Sequence, residues 1–153
     1  MLRTLKPFEY SEPQTLKEAL QVLSEYGSDA KVLAGGTDLL VSMKRKKIIP
    51  QYIVYIKGIP ELDYIKHSQE DGLRIGALTT HQSVADSPVV KHKFGLLSTA
   101  CSKVGSLQIR TMGTIGGNIC KAGPSQDSIP AIYQHNLPIF FYLPLSFVRH
   151  TNN

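Results

Sequence analysis

The stretch Lys31-Val-Leu-Ala-Gly-Gly-Thr-Asp-Leu-Leu-Val-Ser-Met43 decides the fold of the first part of the chain. Its beginning, Lys31–Leu33, predicts the end of a short buried strand. Gly35-Gly36 allows a turn in which no Cβ keeps a ligand away from the backbone. The apolar spacing over Leu39–Met43 predicts a helix. A strand, a glycine turn and a helix start leave several N–H groups free, and such groups suit a phosphate or pyrophosphate.

Two interpretations of this stretch stay open from its residues alone. Thr37 or Asp38 can cap the helix, and the whole segment is then an ordinary turn. A second glycine-rich stretch, Ile109-Arg-Thr-Met-Gly-Thr-Ile-Gly-Gly-Asn118, favours binding; it is followed by Pro124 and Asp127. Two such turns could hold one long dinucleotide from both sides. Asp127 either caps the next helix or accepts hydrogen bonds from a ribose diol.

Composition indicates a folded protein. The 153 residues are 42% hydrophobic and 19% charged, which fits one domain or two small lobes that share a core. The net charge is +5, and its densest run is Lys44-Arg-Lys-Lys47. A nucleic-acid partner is one interpretation of that run. A solvated helix end is the favoured one, because no aromatic residues alternate with the cations.

Cysteine content and the two ends of the sequence indicate the cellular compartment in which the protein is expected. Cys101 and Cys120 define neither a metal site nor a disulfide framework. Met1–Pro7 lacks the apolar core of a signal peptide, so a cytoplasmic protein with reduced thiols is expected. The uncharged stretch Leu137–Val148 is shorter than the roughly 20 apolar residues that a membrane span needs, so no membrane span is expected.

The N-terminal part is predicted to form a small βαβ unit with a parallel sheet. Phe8–Pro13 is expected to be an extended lead-in. Thr15 and Glu18 form a capping-box pattern at the start of a helix, which Gly27 is placed to end in a left-handed conformation. Tyr52–Ile56 is rich in β-formers and predicts the second parallel strand.

After Gly58-Ile-Pro60 an antiparallel arrangement is predicted. Asp63–His67 and Leu73–Ala77 are expected to be strands joined by a polar hairpin loop. Three helices are predicted to follow: Thr79–Ala85, Leu96–Val104 and Ser128–Tyr133. The second of these helices is expected to bury a face made of Leu96, Leu97, Ala100 and Val104.

Three segments together resemble a known family. They are Ala34-Gly-Gly-Thr-Asp-Leu39, Leu73-Arg-Ile-Gly-Ala-Leu-Thr-Thr80, and Gln108–Asn118 with the following Ala122–Asp127. Between about Leu5 and Gln134 the chain resembles the FAD-binding subunit of the molybdenum hydroxylases, the family of xanthine dehydrogenase and aerobic carbon monoxide dehydrogenase.

The resemblance implies an α+β fold: a two-lobed FAD-binding domain of the vanillyl-alcohol-oxidase-like type. Residues 1–57 would form the βαβ lobe, 58–136 the second α+β lobe, and 137–153 an atypical apolar tail. The resemblance also implies the residues that bind FAD. They are Leu33, Ala34, Gly35, Gly36, Thr37, Asp38, Thr114, Gly116, Gly117, Asn118 and Asp127, with Gly76 and Thr80 as weaker candidates.

The role implied by the resemblance is electron transfer. A molybdenum-cofactor large subunit would hydroxylate the substrate, and a small subunit with two [2Fe–2S] clusters would pass electrons to FAD. FAD would deliver them to NAD or another acceptor. No catalytic residue on this chain is needed for that role. Accordingly, His67, His81 and His92 are expected to be surface or packing residues.

The chain departs from the family pattern in three ways. Thr111 stands where the family commonly has Asn, no cysteine-rich insertion is present, and Leu137–Asn153 matches no expected continuation. A frameshift or truncation after Gln134 is therefore expected. A free-standing flavin oxidoreductase of the same fold is the first alternative function, and a truncated chain acting only as an interaction fragment is the second.

Overall fold

The computed structural model describes residues 4–121 and 128–134, and for 129, 133 and 134 it describes the backbone alone. Contacts within the chain divide it into two units. The described residues of unit 1 are 4–60, and those of unit 2 are 61–121 and 128–134.

Unit 1 consists of a parallel sheet and two helices. Its elements are β1 (Glu9–Ser11), α1 (Leu16–Tyr26), β2 (Ala30–Leu33), α2 (Leu39–Lys44) and β3 (Tyr52–Tyr55). A single 3₁₀ turn, Gly27–Asp29, separates α1 from β2, and another, Pro60–Leu62, begins at the last described residue of the unit. The predicted βαβ arrangement of β2, α2 and β3 is confirmed.

The sheet has the order β1-β3-β2, and both neighbours run parallel to β3. Val54 of β3 pairs with Ser11 on one side and with Val32 on the other. Strand β1 lies within the segment expected to be only a lead-in, so that expectation was incomplete. Three residues are too few to show the alternation of apolar and polar side chains that indicates a strand, and the partner strand lies about forty residues later.

Burial in the sheet follows strand position. Ile53 and Val54 of the central strand are buried, whereas 43% of Val32 on the edge strand is exposed. The expectation that Lys31–Leu33 would be buried was therefore wrong, because an edge strand has a neighbour on one side only. Helix α1 lies over β2 and β3, with Ala19 buried and Tyr26 stacked on Tyr52 at 3.7 Å between ring centroids.

Both predicted ends of α1 are present. Thr15 Oγ1 accepts the Glu18 N–H at 3.2 Å, and Glu18 Oε2 accepts the Gln14 N–H at 2.9 Å. This is the reciprocal arrangement of a capping box, with Gln14 in place of Thr15 as the second donor. The helix ends at Tyr26, and Gly27 has φ +52° and ψ −125°. Gly27 thus has the predicted positive φ, with a ψ outside the left-handed helical range.

Unit 2 consists of a hairpin and six helices among its described residues. The elements are β4 (Ile65–Ser68), β5 (Gly72–Ile75), α3 (His81–Asp86), α4 (Pro88–Lys93), α5 (Gly95–Lys103), α6 (Leu107–Met112), α7 (Ile115–Lys121) and α8 (Ser128–Gln134). The predicted antiparallel hairpin and the predicted helices at 79–85, 96–104 and 128–133 are confirmed, with ends shifted by a few residues.

The core of unit 2 is one cluster of buried side chains. It consists of Leu73, Val84, Ala85, Val90, Leu97, Cys101, Ile115, Ala131 and Ile132. In α5 the buried face runs through Leu97, Ser98 and Cys101, while 45% of Leu96 is exposed. The predicted buried face was therefore wrong at Leu96. Since Cys101 takes part in the core, the loss of solvation raises the pKa of its thiol to about 12.

No helix in the described ranges is long and apolar enough to cross a membrane. Within the same ranges, no group of three or more His, Cys, Asp and Glu side chains could hold a metal ion.

Lys46 carries backbone strain that a substitution can remove. Its φ is +58°, and the bonds Lys46 N–H to Met43 O and Lys47 N–H to Ser42 O, both 2.9 Å, close the end of α2 around it. We expect Lys46→Gly to raise the free energy of unfolding by about 0.5–1 kcal/mol, because glycine adopts this conformation without a Cβ penalty. Lys44→Gly, in the helix, should lower it by a similar amount. Urea unfolding measures both, and a Lys46→Gly chain less stable than the parent would contradict this account.

Candidate functional site

The first glycine stretch connects β2 to α2 in unit 1. Strand β2 ends at Leu33, whose carbonyl accepts the Ile56 N–H at 3.0 Å. Gly36 has φ +74°, and its carbonyl accepts the Leu40 N–H at 3.2 Å, which begins the helical turn. A Cβ at Gly36 would lie 3.1 Å from Cδ1 of both Leu33 and Leu40. Glycine is therefore needed here for backbone conformation and for packing.

The amide groups of this stretch form a set of unused donors. Among the residues that the structure describes, no backbone or side-chain atom accepts the N–H of Gly35, Gly36 or Thr37. All three residues are half-buried. Asp38 occupies the N-cap position, but its side chain makes no capping hydrogen bond. Of the two capping residues predicted, Thr37 or Asp38, it is Asp38 that takes the N-cap position, without the expected hydrogen bond from its side chain. Among the described residues the expected row of free N–H groups is present.

The second glycine stretch has a different structure from the predicted turn. Helix α6 ends at Met112 and α7 begins at Ile115, so only Gly113 and Thr114 lie between two helices. Gly116 and Gly117 belong to the first turn of α7. The prediction of a second glycine turn was wrong for Gly116 and Gly117, because Gly116 permits a close approach to another protein segment from within a helix.

That close approach is a short backbone pairing within unit 2. Three N–H groups donate across it: His81 to Gly113 O at 3.1 Å, Ile115 to Thr79 O at 2.9 Å, and Gly116 to Ala77 O at 2.9 Å. A Cβ at Gly116 would lie 2.8 Å from both the Cβ and the carbonyl oxygen of Ala77. The segment before α3 therefore satisfies the first N–H groups of α7, which otherwise have no partner in a helix.

Gly117 and Thr114 complete the start of α7. Thr114 Oγ1 accepts the Gly117 N–H at 3.1 Å, and a Cβ at Gly117 would lie 2.9 Å from the same oxygen. The Asn118 N–H donates to Thr114 O at 2.9 Å. The N–H groups from Ile115 to Asn118 all have protein acceptors, in contrast to those of the first glycine stretch.

Gly76 and Thr80, the weaker candidates, have structural roles in unit 2. The Gly76 N–H donates to Tyr64 O at 2.8 Å, and a Cβ at this position would collide with the Leu62 carbonyl. Thr80 caps α3, since its Oγ1 accepts the Ser83 N–H at 3.1 Å.

Asn118 differs from its neighbours because its side chain retains polar hydrogens. Ser128 Oγ donates to Asn118 Oδ1 at 2.7 Å. In the described part of the chain, no atom accepts a hydrogen bond from the Asn118 side-chain amide. Ser128 was not predicted as a site residue. No local pattern could have indicated it, because the pair is ten positions apart.

The structure groups the predicted site residues into two sets. Leu33–Asp38 are contiguous in unit 1, and unit 2 contains Gly76, Thr80, Thr114, Gly116, Gly117 and Asn118. Asp127 lies outside the described residues. The assignment of these residues to cofactor binding stays a prediction.

His81 is the one side chain near the backbone pairing with an unsatisfied buried atom. It is 2% exposed, and its Nδ1 is the only buried side-chain N or O among the described residues without a hydrogen-bond partner. Burial lowers the pKa of its imidazole, because the charged form loses solvation. His81 was expected to be a surface or packing residue, and the packing alternative is the one found.

The sequence matches the family model described as the FAD binding domain in molybdopterin dehydrogenase over residues 6–137. The chain therefore belongs to this family, which confirms the resemblance identified from the glycine stretches.

Curated relatives and solved structures agree with this membership. The chain is 40% identical over 122 residues to the carbon monoxide dehydrogenase medium chain of Hydrogenophaga pseudoflava, covering 78% of this chain and 42% of that protein. It is 36% identical over 129 residues to the nicotinate dehydrogenase FAD-subunit of Eubacterium barkeri, covering 84% and 43%. A solved structure of the Hydrogenophaga pseudoflava carbon monoxide dehydrogenase superposes with a TM-score of 0.79 at 38% identity, covering 82% and 43%.

The chain spans less than half of the length of these relatives. Its residues nevertheless fit the cofactor of the family in their chemistry. FAD contains a pyrophosphate whose oxygens accept hydrogen bonds. The N–H groups of Gly35, Gly36 and Thr37 and the Asn118 amide are donors without an acceptor in the described part of the chain.

Gly116→Ala tests the backbone pairing. The added methyl group would meet the Ala77 backbone, and we expect the free energy of unfolding to fall by about 1–3 kcal/mol. Gly95→Ala is the matched control, because a Cβ at Gly95 meets nothing within 4 Å and Gly95 also lies at the start of a helix. That control should leave stability unchanged or slightly higher. Thermal unfolding followed by circular dichroism measures both, and equal stabilities would contradict the pairing.

The His81 imidazole predicts a pH dependence of stability. Its folded pKa lies below the unfolded value of about 6.5, so the unfolded chain binds more protons as the pH falls through that value. Stability is then complete above about pH 6.5 and decreases below it, by at most about 1.4 kcal/mol per pH unit for one group. His81→Gln should remove this part of the slope, and His92→Gln, at an exposed site, should keep it. Urea midpoints between pH 5 and pH 7.5 provide the test, and equal slopes in the parent and His81→Gln would refute the assignment.

Proposed function

We propose that this chain is the FAD-binding part of a molybdenum hydroxylase and that it passes electrons rather than acting on the substrate. The observation that carries the proposal is the set of N–H donors at Gly35, Gly36 and Thr37, which no described residue accepts, in a chain that belongs to a FAD-binding family. The proposed ligands of FAD in this segment are Leu33 to Asp38.

The second glycine stretch makes a different contribution in this proposal. Its first N–H groups are bonded within the protein, so Thr114, Gly116 and Gly117 would act by shaping the surface, and Asn118 would supply the hydrogen bonds. Gly76 and Thr80 would hold the segment that supports α7. Asp127 is proposed as a further FAD contact on the strength of its position in the motif.

The proposed fold type is a two-lobed FAD-binding domain of the vanillyl-alcohol-oxidase-like kind, with lobes 1–57 and 58–136. The parallel sheet of unit 1 and the hairpin with helices of unit 2 support this assignment, each taken by itself.

Electron transfer is proposed as the activity because the chain needs no acid, base or nucleophile for it. FAD, when bound, would accept and release electrons singly or in pairs, so it can transfer electrons between one-electron and two-electron carriers. The residues of this chain bind the cofactor and orient it. The electron donor in the proposal is a small subunit with [2Fe–2S] clusters beside a molybdenum-cofactor large subunit, and the acceptor is NAD or a similar carrier. Several relatives are named as medium chains or subunits of dehydrogenases, which supports a multi-subunit assembly. We further propose that the assembly works in the cytoplasm.

Gly36→Ala tests the proposed FAD site. The side chain would strain a backbone at φ +74° and press on Leu33 and Leu40, so the neighbouring N–H groups would move out of alignment. We expect the dissociation constant for FAD to rise by roughly tenfold or more, equivalent to the loss of about one charge-assisted hydrogen bond. Quenching of FAD fluorescence on titration with the purified chain measures it.

Gly72→Ala is the matched control. Gly72 has φ +69° and a Cβ there meets nothing within 4 Å, so the backbone strain is similar and the position lies at the start of strand β5 in unit 2. Its affinity for FAD should equal that of the parent chain. Equal weakening by both substitutions would show that strain alone is responsible, and no FAD binding by the folded parent chain would refute the proposed function.

A further inference from the structure

Ser128 and Asn118 form a hydrogen-bonded pair that joins the first residue of α8 to α7. Ser128 is fully buried, with 0% of its surface exposed, and its Oγ lies 2.7 Å from Asn118 Oδ1. Asn118 itself is half-buried. A hydroxyl with no access to water has few alternative partners, and breaking this bond would leave it unsatisfied in the interior.

The bond determines what Asn118 can offer to a ligand. A primary amide has one oxygen acceptor and two N–H donors, and rotation by 180° about its last bond exchanges the two sides. In the structure Ser128 donates to the oxygen, and in this orientation the amide nitrogen faces away from Ser128. The amide nitrogen, which donates to no described protein atom, is then the polar group left for other partners.

The neighbouring groups of α7 reinforce this selectivity. The N–H groups of Ile115, Gly116 and Gly117 already donate to protein oxygens, and Thr114 is buried. Asn118 is therefore the half-exposed group at this helix start whose polar hydrogens have no acceptor among the described residues. A ligand that binds the amide N–H groups of Asn118 must present hydrogen-bond acceptors.

We infer that Ser128 is a positioning residue that fixes Asn118 as a donor, which makes this part of the site selective for acceptor oxygens such as those of a pyrophosphate. The inference rests on the proposed function, because it treats Asn118 as a cofactor contact. Ser128 itself touches no ligand in this account. It acts only through the orientation of one amide.

The first test needs no cofactor. In the full chain labelled with ¹⁵N, the side-chain NH₂ signals of Asn118 are assigned as the pair that Asn118→Ala removes. Ser128→Ala should shift or broaden this pair, and Ser128→Thr, which keeps the hydroxyl, should restore it towards the parent position. An unchanged pair in Ser128→Ala would overturn the positioning role.

Ser98→Ala is the matched control for this test. Ser98 is another buried serine of unit 2, and its Oγ donates to the Ala85 carbonyl at 2.8 Å. The substitution removes a comparable buried hydrogen bond without touching Asn118, so it should lower stability and leave the NH₂ pair in place. A shift of equal size in Ser98→Ala would show that the signal reports loosening of unit 2 rather than the pair.

The second test concerns selectivity. Ser128→Ala should weaken FAD binding by about three- to tenfold, the value of one ordinary hydrogen bond, and should have no further effect in an Asn118→Ala background. Asn118→Asp keeps the oxygen that accepts from Ser128 but replaces the outward donors with a second acceptor. It should therefore bind FAD more weakly than Asn118→Ala. Additive losses, or an Asn118→Asp chain that binds as well as the parent, would overturn the inference.

The two proposals can fail separately. If the parent chain does not bind FAD, the proposed function fails, and inorganic pyrophosphate is then the probe for the inference. A shift of the Asn118 NH₂ pair on addition of pyrophosphate, absent in Asn118→Asp, would support it. No shift at millimolar pyrophosphate would overturn the selectivity, and the comparison of Ser128→Ala with Ser98→Ala would still decide the positioning role.

Discussion

The backbone pairing between residues 77–81 and 113–116 is the constraint on which unit 2 depends. It satisfies the first N–H groups of α7 with carbonyls from the segment that precedes α3, so the two helices start from a common set of hydrogen bonds. The distance is set by Gly116, since any side chain there would overlap Ala77. The Thr79 hydroxyl also donates to the Tyr64 carbonyl at 3.0 Å and accepts the Tyr64 N–H at 3.2 Å. Tyr64 directly precedes β4, so these two bonds attach the start of the hairpin to the backbone pairing.

The two glycine stretches are similar in sequence but have different structural roles. In unit 1 the glycines form a turn whose N–H groups have no acceptor among the residues that the structure describes, which is the arrangement suited to an anion. In unit 2 the glycines remove bulk so that two protein segments can meet, and the N–H groups are consumed in that contact. Selectivity at the second stretch therefore depends on side-chain chemistry and not on the backbone.

Most of the secondary structure could be predicted from the sequence, because its signals are local. The capping box at Thr15 and the hairpin around Gly72 both rest on residues within a few positions of each other. Strand β1 could not be predicted, since three residues carry no period and the partner is distant. The strand–turn–helix form of the first glycine stretch was predictable for the same local reason. The bond from Ser128 to Asn118 and the burial of His81 arise only when α3, α7 and α8 have packed.

The strand order of unit 1 has a consequence for folding of the chain during its synthesis on the ribosome. The central strand, Tyr52–Tyr55, is the last of the three to be synthesised, and it is the one described strand with which β1 and β2 pair. Neither outer strand can therefore form its ladder until the middle one has left the exit tunnel. The edges of β1 and β2 stay unpaired through that interval, when exposed strand edges are most open to wrong partners. Strand β1 precedes β2 and β3 in the chain, yet its pairing with β3 has to wait until the third of these strands has been made.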